Sequence, residues 1–291
     1  MKTAIIDIGS NSVRYSVMDE NTVLANKKLS STVLADGLFF SGKLSETAMS
    51  RTVSAITSYC EEAKADGAEK IFAFATEAVR AASNGAEFCE RVRNACGVEI
   101  RVLKGCEEAA VGFLGASAGL KEECAVFDLG GASCEVIRGK NGTVSFSHSF
   151  PIGCIRLRDG AGGELQKARE LIDKAFSSFS LTAVKSLIGI GGTATSLGAM
   201  VACPNKYDPA LTHGAKVDAE FLESVIGDFF AGRDMRSKYP CLTFNRASVI
   251  GYGALVCLKL LLRTGTDSFT VSERDNIEGY YEFIGRISNK D

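Results

Sequence analysis

A short apolar run, Ala4–Ile8, opens the chain, and beyond a polar turn at Gly9–Asn11 the apolar positions alternate at Val13, Tyr15 and Val17. A continuous run predicts a buried strand, and period-two alternation predicts a strand with one covered face. The segment therefore reads as strand, turn, strand. A third strand is expected over Thr22–Ser30. From Glu46 to Ala65 the period changes, with Val53, Ile56, Cys60 and Ala63 on one helical face and Ser45 placed to cap the helix. A strand at Lys70–Ala75, a helix near Ala86–Ala95 and a strand at Val98–Leu103 follow. A helix beginning near Glu107 then aligns Ala110, Phe113, Leu114 and Ser117.

After Gly119–Glu123 the opening pattern returns, as a strand at Cys124–Leu129, a tight turn at Gly130–Ser133 and a strand from Cys134 to Arg138. Asn141 and Gly142, a strong hairpin signal, lead to a further strand at Val144–Phe150. Helices near Glu164–Phe179, Val217–Phe230 and Ala247–Leu262 alternate with strands at Leu187–Ile190 and Ser268–Ser272, which implies mixed α/β layers. The two halves are variants of one supersecondary plan.

Length allows two medium domains: there are 291 residues, and domains hold ~100–200. A hydrophobic fraction of 46% and a charged fraction of 23% suit buried cores and exclude disorder. The net charge of −2 gives no general attraction for DNA or RNA, so a polyanion has to be held by a local pocket. The opening MKTAIIDIGS lacks a signal peptide's apolar region, and a cytoplasmic location is expected. Ala247–Leu262 is too short for a membrane span and contains Lys259, so no membrane partner is expected. The 10 cysteines show no CxxC pair and read as reduced, mostly buried thiols.

Each half opens with a strand ending in Asp-x-Gly. The first continues as DIGSNS, with Asp7, Gly9, Ser10, Asn11 and Ser12, and the second as DLGGAS, with Asp128, Gly130, Gly131 and Ser133. Glycine lets a backbone approach a ligand closely, turn N–H groups and hydroxyls can cradle phosphate oxygens, and the aspartates can orient a hydrated Mg²⁺. Either motif alone is an ordinary hairpin turn; recurrence in both halves favours phosphate. A third turn, GIGGTAT, holds Gly191, Gly192 and Thr193 and joins a strand to a helix whose N-terminus could face a phosphate.

These three turns, in order, resemble the phosphate-binding segments of the superfamily of acetate and sugar kinases, heat-shock chaperone ATPases and actin. DIGSNS, LADGL at Leu34–Leu38, ATEAVR at Ala75–Arg80, GCEEA at Gly105–Ala109, DLGGASCE at Asp128–Glu135 and GGTAT at Gly191–Thr195 together resemble the exopolyphosphatase and guanosine pentaphosphate phosphatase family. That resemblance implies an α/β fold of two ribonuclease-H-like, actin-like ATPase lobes with an active-site cleft between them. The lobes would be residues 1–122 and 123–279, with the last helix, about 280–291, packing back on the first. It implies a phosphohydrolase that releases terminal phosphate from polyphosphate or pppGpp by Mg²⁺-assisted attack of water, and a homodimer is one expectation for its assembly. An acetate- or sugar-kinase-like phosphotransferase and a guanosine-polyphosphate-binding regulator with weak hydrolysis are the alternatives.

Carried over by motif, Glu108 is the catalytic base, Asp128 a second catalytic group, and Asp7, Asp128 and Glu135 the metal ligands. Arg80 would clamp phosphate, helped by Ser10, Asn11, Ser12, Gly130, Gly131, Ser133, Gly191, Gly192 and Thr193. Periodicity sets Glu107 and Glu108 ~100° apart on a helix without saying which faces the site; the resemblance chooses Glu108. Lys104, Arg156 and Arg158 could line an anion path, although isolated basic residues are more often solvated. His148 and His213 are too separated for a metal cluster. Two departures stand out: Ile277-Glu278-Gly279 where relatives commonly show Arg-Glu-Gly, and Gly-Gly-Ala-Ser where many have Gly-Gly-Gly-Ser. Loss of that arginine would remove a phosphate or interlobe contact.

Overall fold

All six residues of the first strand, β1 (Thr3–Ile8), are buried. The chain is a computed structural model that describes residues 1–22, 25–177 and 183–288. It divides into two compact units, Met1–Gly115 with Asn276–Asp291, and Ala116–Asp275.

In the first unit β1 pairs antiparallel with β2 (Ser12–Met18), which pairs with β3 (Lys28–Ser31). A short helix α1 (Leu38–Ser41) precedes α2 (Glu46–Ala65), where the Ser45 hydroxyl accepts the Ala48 N–H as expected of an N-cap. The strand β4 (Lys70–Ala75), helices α3 (Glu77–Ala81) and α4 (Gly85–Cys96), strand β5 (Ile100–Val102) and helix α5 (Gly105–Ala116) follow. The sheet order β3-β2-β1-β4-β5 puts β1 at the centre, with β4 and β5 parallel to it. Ala4, Ile6 and Ile8 point into a cluster with Ile56, Phe88 and Val92 of α2 and α4, while Ile5 joins Phe74, Leu103, Val111, Ile277 and Tyr280 on the other face. Cover on both faces is why β1 reads as one apolar run.

The chain's last helix, Asn276–Ser288, supplies that second cover. A Cβ on Gly279 would collide with the Val111 carbonyl, so glycine permits its close crossing of α5. Glu278 is fully buried and accepts the Ala25 N–H at 3.0 Å and Lys27 Nζ at 2.9 Å. The strand expected over Thr22–Ser30 is accordingly cut back: Thr22 N–H closes a turn on the Asp19 carbonyl, Ala25 is drawn to Glu278, and β3 begins at Lys28. Val23 and Leu24 of that expectation lie outside the described residues. Ile277 is fully buried in the apolar cluster, where an arginine would need a buried charge partner.

The second unit contains β6 (Glu123–Leu129), β7 (Cys134–Lys140), β8 (Thr143–Phe150), α6 (Cys154–Ala161), α7 (Leu165–Ala175), β9 (Leu187–Ile190), α8 (Gly191–Ala202) and α9 (Pro209–Thr212). It continues with β10 (Lys216–Asp218), α10 (Ala219–Phe230), α11 (Met235–Lys238), α12 (Phe244–Ala247), α13 (Ile250–Thr264) and β11 (Ser268–Val271); the C-terminal helix is then α14. Sheet order is β10-β11-β9-β6-β7-β8. Asn141 and Gly142, both at positive φ, turn the β7–β8 hairpin. Three helix expectations shift. The one ending at Phe179 stops at Ala175, and Phe179 itself lies outside the described residues. The one from Val217 begins with a strand, because Asp218 pairs with Ser268 and caps α10 through the Phe221 N–H. The one from Ala247 starts at Ile250, after the separate turn of α12. Among the described residues no helix is long and apolar enough to cross a membrane.

Candidate active site

The turns after β1 and β6 close with the same hydrogen bond, Gly9 N–H to Ser12 O and Gly130 N–H to Ser133 O, each 3.0 Å. The repeated letters are thus a repeated structure. Around the first turn the Ser10 carbonyl accepts the Ala35 N–H at 2.9 Å, and the Asn11 carbonyl accepts those of Thr32 and Val33 at 3.1 and 2.8 Å. The LADGL segment therefore braces DIGSNS, leaving Asn11 exposed and Ser10 and Ser12 half-buried. Val33 is held at φ 46°, a left-handed conformation disfavoured for a β-branched residue. Beside it the Thr32 hydroxyl is buried without a hydrogen-bond partner, alone in this among the described residues.

Parallel strands β4 and β5 deliver the next pair at their carboxyl ends, where α/β sheets bind ligands. Arg80, on α3, donates Nη1 to Glu108 Oε2 at 3.0 Å and to the Leu103 carbonyl at 2.5 Å, and Nη2 to Glu77. Burial pushes the Glu108 carboxyl above the usual glutamate range; Arg80 opposes this, and the charges of Asp7 and Glu77 add to it. Glu107 behaves differently. Its carboxylate accepts the Lys104 N–H at 3.0 Å and Arg101 Nη2 at 2.7 Å, which together hold its proton affinity below normal, the backbone bond counting most. It caps the start of α5, so the side chains of Glu107 and Glu108 do part. Asp7, almost fully buried, lies opposite Arg14 in the β1–β2 ladder, and Arg14 donates Nε at 3.0 Å and Nη2 to its Oδ2.

In the second unit Asp128 and Glu135 are directly opposed on β6 and β7. Two like charges facing across a ladder repel, which a shared cation would relieve. Glu135 Oε1 also accepts the Ser149 hydroxyl at 2.6 Å. The Gly130 and Gly131 carbonyls accept the first N–H groups of α6: Cys154 to Gly130 at 3.0 Å, and Ile155 and Arg156 to Gly131 at 2.9 and 3.0 Å. Arg156 Nε in addition donates to the Ala132 carbonyl at 2.9 Å, which ties this basic residue to the turn. Gly191 stands at φ 76°, and a Cβ there would strike Asp128, so β6 and the start of α8 are pressed together. Ser133 is half-buried beside the turn. Thr193 is buried, its hydroxyl 3.3 Å from Cys154 Sγ.

Two arginines escaped the sequence reading. Counting pairs outward from the closed DIGSNS turn would have put Arg14 opposite Asp7. Arg246 had no local signal: it sits on α12, and a Cβ on Gly192 would collide with its guanidinium. Arg158 pairs with Asp159, while Lys104 is exposed, and the His213 ring accepts the Glu273 N–H through Nδ1 at 3.2 Å.

A family model described as the Ppx/GppA phosphatase family matches residues 6–280. The chain is 31% identical to exopolyphosphatase 2 of Mycobacterium tuberculosis, over 96% of this chain and 97% of that protein. It is 28% identical to guanosine-5'-triphosphate,3'-diphosphate pyrophosphatase of Photobacterium profundum, over 99% of this chain and 60% of that protein. The crystal structure of an Aquifex aeolicus Ppx/GppA phosphatase superposes with a TM-score of 0.87 at 27% identity, covering 97% of this chain and 98% of that one.

Proposed function

Because the chain belongs to the Ppx/GppA phosphatase family and is a phosphoric anhydride hydrolase, we propose that it releases terminal phosphate from inorganic polyphosphate or a guanosine polyphosphate, with Glu108 preparing the attacking water. The Arg80–Glu108 pair carries this reading. Burial makes the Glu108 carboxylate a stronger proton acceptor than an exposed glutamate, and Arg80, which opposes that shift, keeps it oriented. As water attacks in line, Glu108 takes its proton, while the Arg80 guanidinium meets phosphoryl oxygens in place of Glu77.

The second unit has groups of its own, the Gly130–Gly131 turn, Ser133 and the start of α8 at Gly191 and Gly192 with Arg246 beside it, that suit phosphate oxygens. Asp128 and Glu135 are our Mg²⁺ ligands. Among the described residues no group of three or more metal donors gathers, and an oxygen-only pair suits a hard cation that keeps water and phosphate in its remaining positions. Bound there, Mg²⁺ would neutralise substrate charge. Asp7 has Arg14 as its partner, and we assign it no metal role.

The test is phosphate release from polyphosphate and from pppGpp, each with Mg²⁺ and with excess chelator. Release from at least one substrate, abolished by chelator, is expected. No release from either overturns the activity, and full release in chelator overturns the metal assignment.

A further inference from the structure

Three residues stand in a row across the second unit's sheet, Asp128 on β6, Glu135 on β7 and Ser149 on β8, each directly opposite the next. Opposed residues point to one side of a sheet, and the alternate positions Phe127, Leu129, Cys134, Val136 and Phe150 enter the apolar cluster on the other. The last member of the row depends on an irregularity in the β7–β8 ladder. Counting from the Asn141–Gly142 turn, Lys140 pairs with Thr143 and Gly139 with Val144, but Arg138 pairs with Phe146, so Ser145 is passed over. At this bulge the Ser145 hydroxyl donates to the Arg138 carbonyl at 3.2 Å. Unbroken pairing would put His148 opposite Glu135. The extra residue shifts the register by one and brings Ser149 there instead, a re-aiming of side chains for which bulges are used beside functional sites.

We propose that Ser149 is a positioning residue for the divalent cation, an inference that rests on the assignment of Asp128 and Glu135 as its ligands. Ser149 Oγ donates to Glu135 Oε1 at 2.6 Å, the short separation of a hydroxyl on an ionised carboxylate. The bond fixes the rotation of the carboxylate and occupies one of its oxygens, which leaves Oε2 for the cation. Without it, Glu135 would swing away from Asp128 to lower the repulsion between the two charges, and cation binding would have to reorder the side chain. Hydrogen-bond partners of metal ligands are worth ~10- to 100-fold in metal affinity. Ser149 is exposed, so water makes good part of the loss, and the lower end of that range is expected.

Mn²⁺, a hard dication that takes the same oxygen donors, supplies a readout independent of turnover, because electron paramagnetic resonance counts the free ion as the full chain is titrated. Ser149→Ala should weaken Mn²⁺ binding roughly tenfold. Ser149→Thr keeps the hydroxyl at a strand position that suits a β-branched residue and should stay within about threefold of the parent. Ser147→Ala, on the same strand and face but opposite Ile137, should leave the affinity unchanged. In phosphate release, Ser149→Ala should need about tenfold more Mg²⁺ for its half-maximal rate and reach the parental rate at saturation. Parental Mn²⁺ affinity in Ser149→Ala, or an equal loss in Ser149→Thr or Ser147→Ala, overturns the proposal. Glu135→Gln separates this failure from that of the metal assignment. If the parent binds no Mn²⁺, or Glu135→Gln binds it as the parent does, the assignment falls and Ser149's role with it; loss in Glu135→Gln with retention in Ser149→Ala removes Ser149 alone.

Discussion

Replacing Glu108 by glutamine keeps the side chain's size and an oxygen to accept from Arg80, but removes the ability to take a proton. General-base assistance is worth ~10²–10⁴-fold, or roughly 3–5 kcal/mol at about 1.4 kcal/mol per tenfold. The loss should fall on kcat, with KM little changed, because the carboxylate acts in the transition state. Folding should survive. Arg80 retains Glu77 and the Leu103 carbonyl, and removing a partly buried charge offsets the weaker hydrogen bond, so stability should stay within about 1 kcal/mol. The pH dependence has a definite sign. Burial raises Glu108's proton affinity in the folded state, so its favourable contribution is complete below the unfolded pKa and is lost as pH rises through the folded one. The glutamine variant loses that dependence and gives up no stability at neutral pH. Glu107→Gln is the control, since its carboxylate caps α5 and should cost about 0.5–2 kcal/mol of stability while turnover persists. Phosphate-release kinetics and urea titration of both variants provide the measurements. If Glu108→Gln turns over within about threefold of the parent while Glu107→Gln does not, the base has been misassigned.

Arg80→Ala should raise KM and move the acid limb of the kcat profile to higher pH, because Arg80 is the group that lowers Glu108's proton affinity; an unmoved limb, read from rates across pH, would break that link. Thr32→Val replaces a buried, unpartnered hydroxyl with a methyl and should stabilise the protein by about 1 kcal/mol in urea titrations; destabilisation would mean that the hydroxyl has a partner. Gly279→Ala should cost more than about 3 kcal/mol or prevent folding, because its Cβ meets backbone on α5; a normal unfolding curve would show that α14 can shift away.

Local pattern determined a good deal here. The apolar run of β1, the alternation of β2 and the return of both at β6 and β7 follow from steric rules acting over a few residues, and the tight turns fix register, which sets Asp128 opposite Glu135. The Ser45 cap and α2 were equally local. Tertiary structure decided the partners. Glu107 and Glu108 are adjacent and chemically identical, and only the neighbouring ends of β4 and β5 make one a helix cap and the other Arg80's partner. Ala25 leaves its expected strand for a glutamate 253 residues away, and Ile277 fills an apolar site where a charge would be costly. Arg246 reaches Gly192 because α12 returns to the start of α8. Sequence spacing encodes which way a side chain faces along its own element, whereas the group it meets there depends on which elements share a core, a choice made by burial summed over the whole unit.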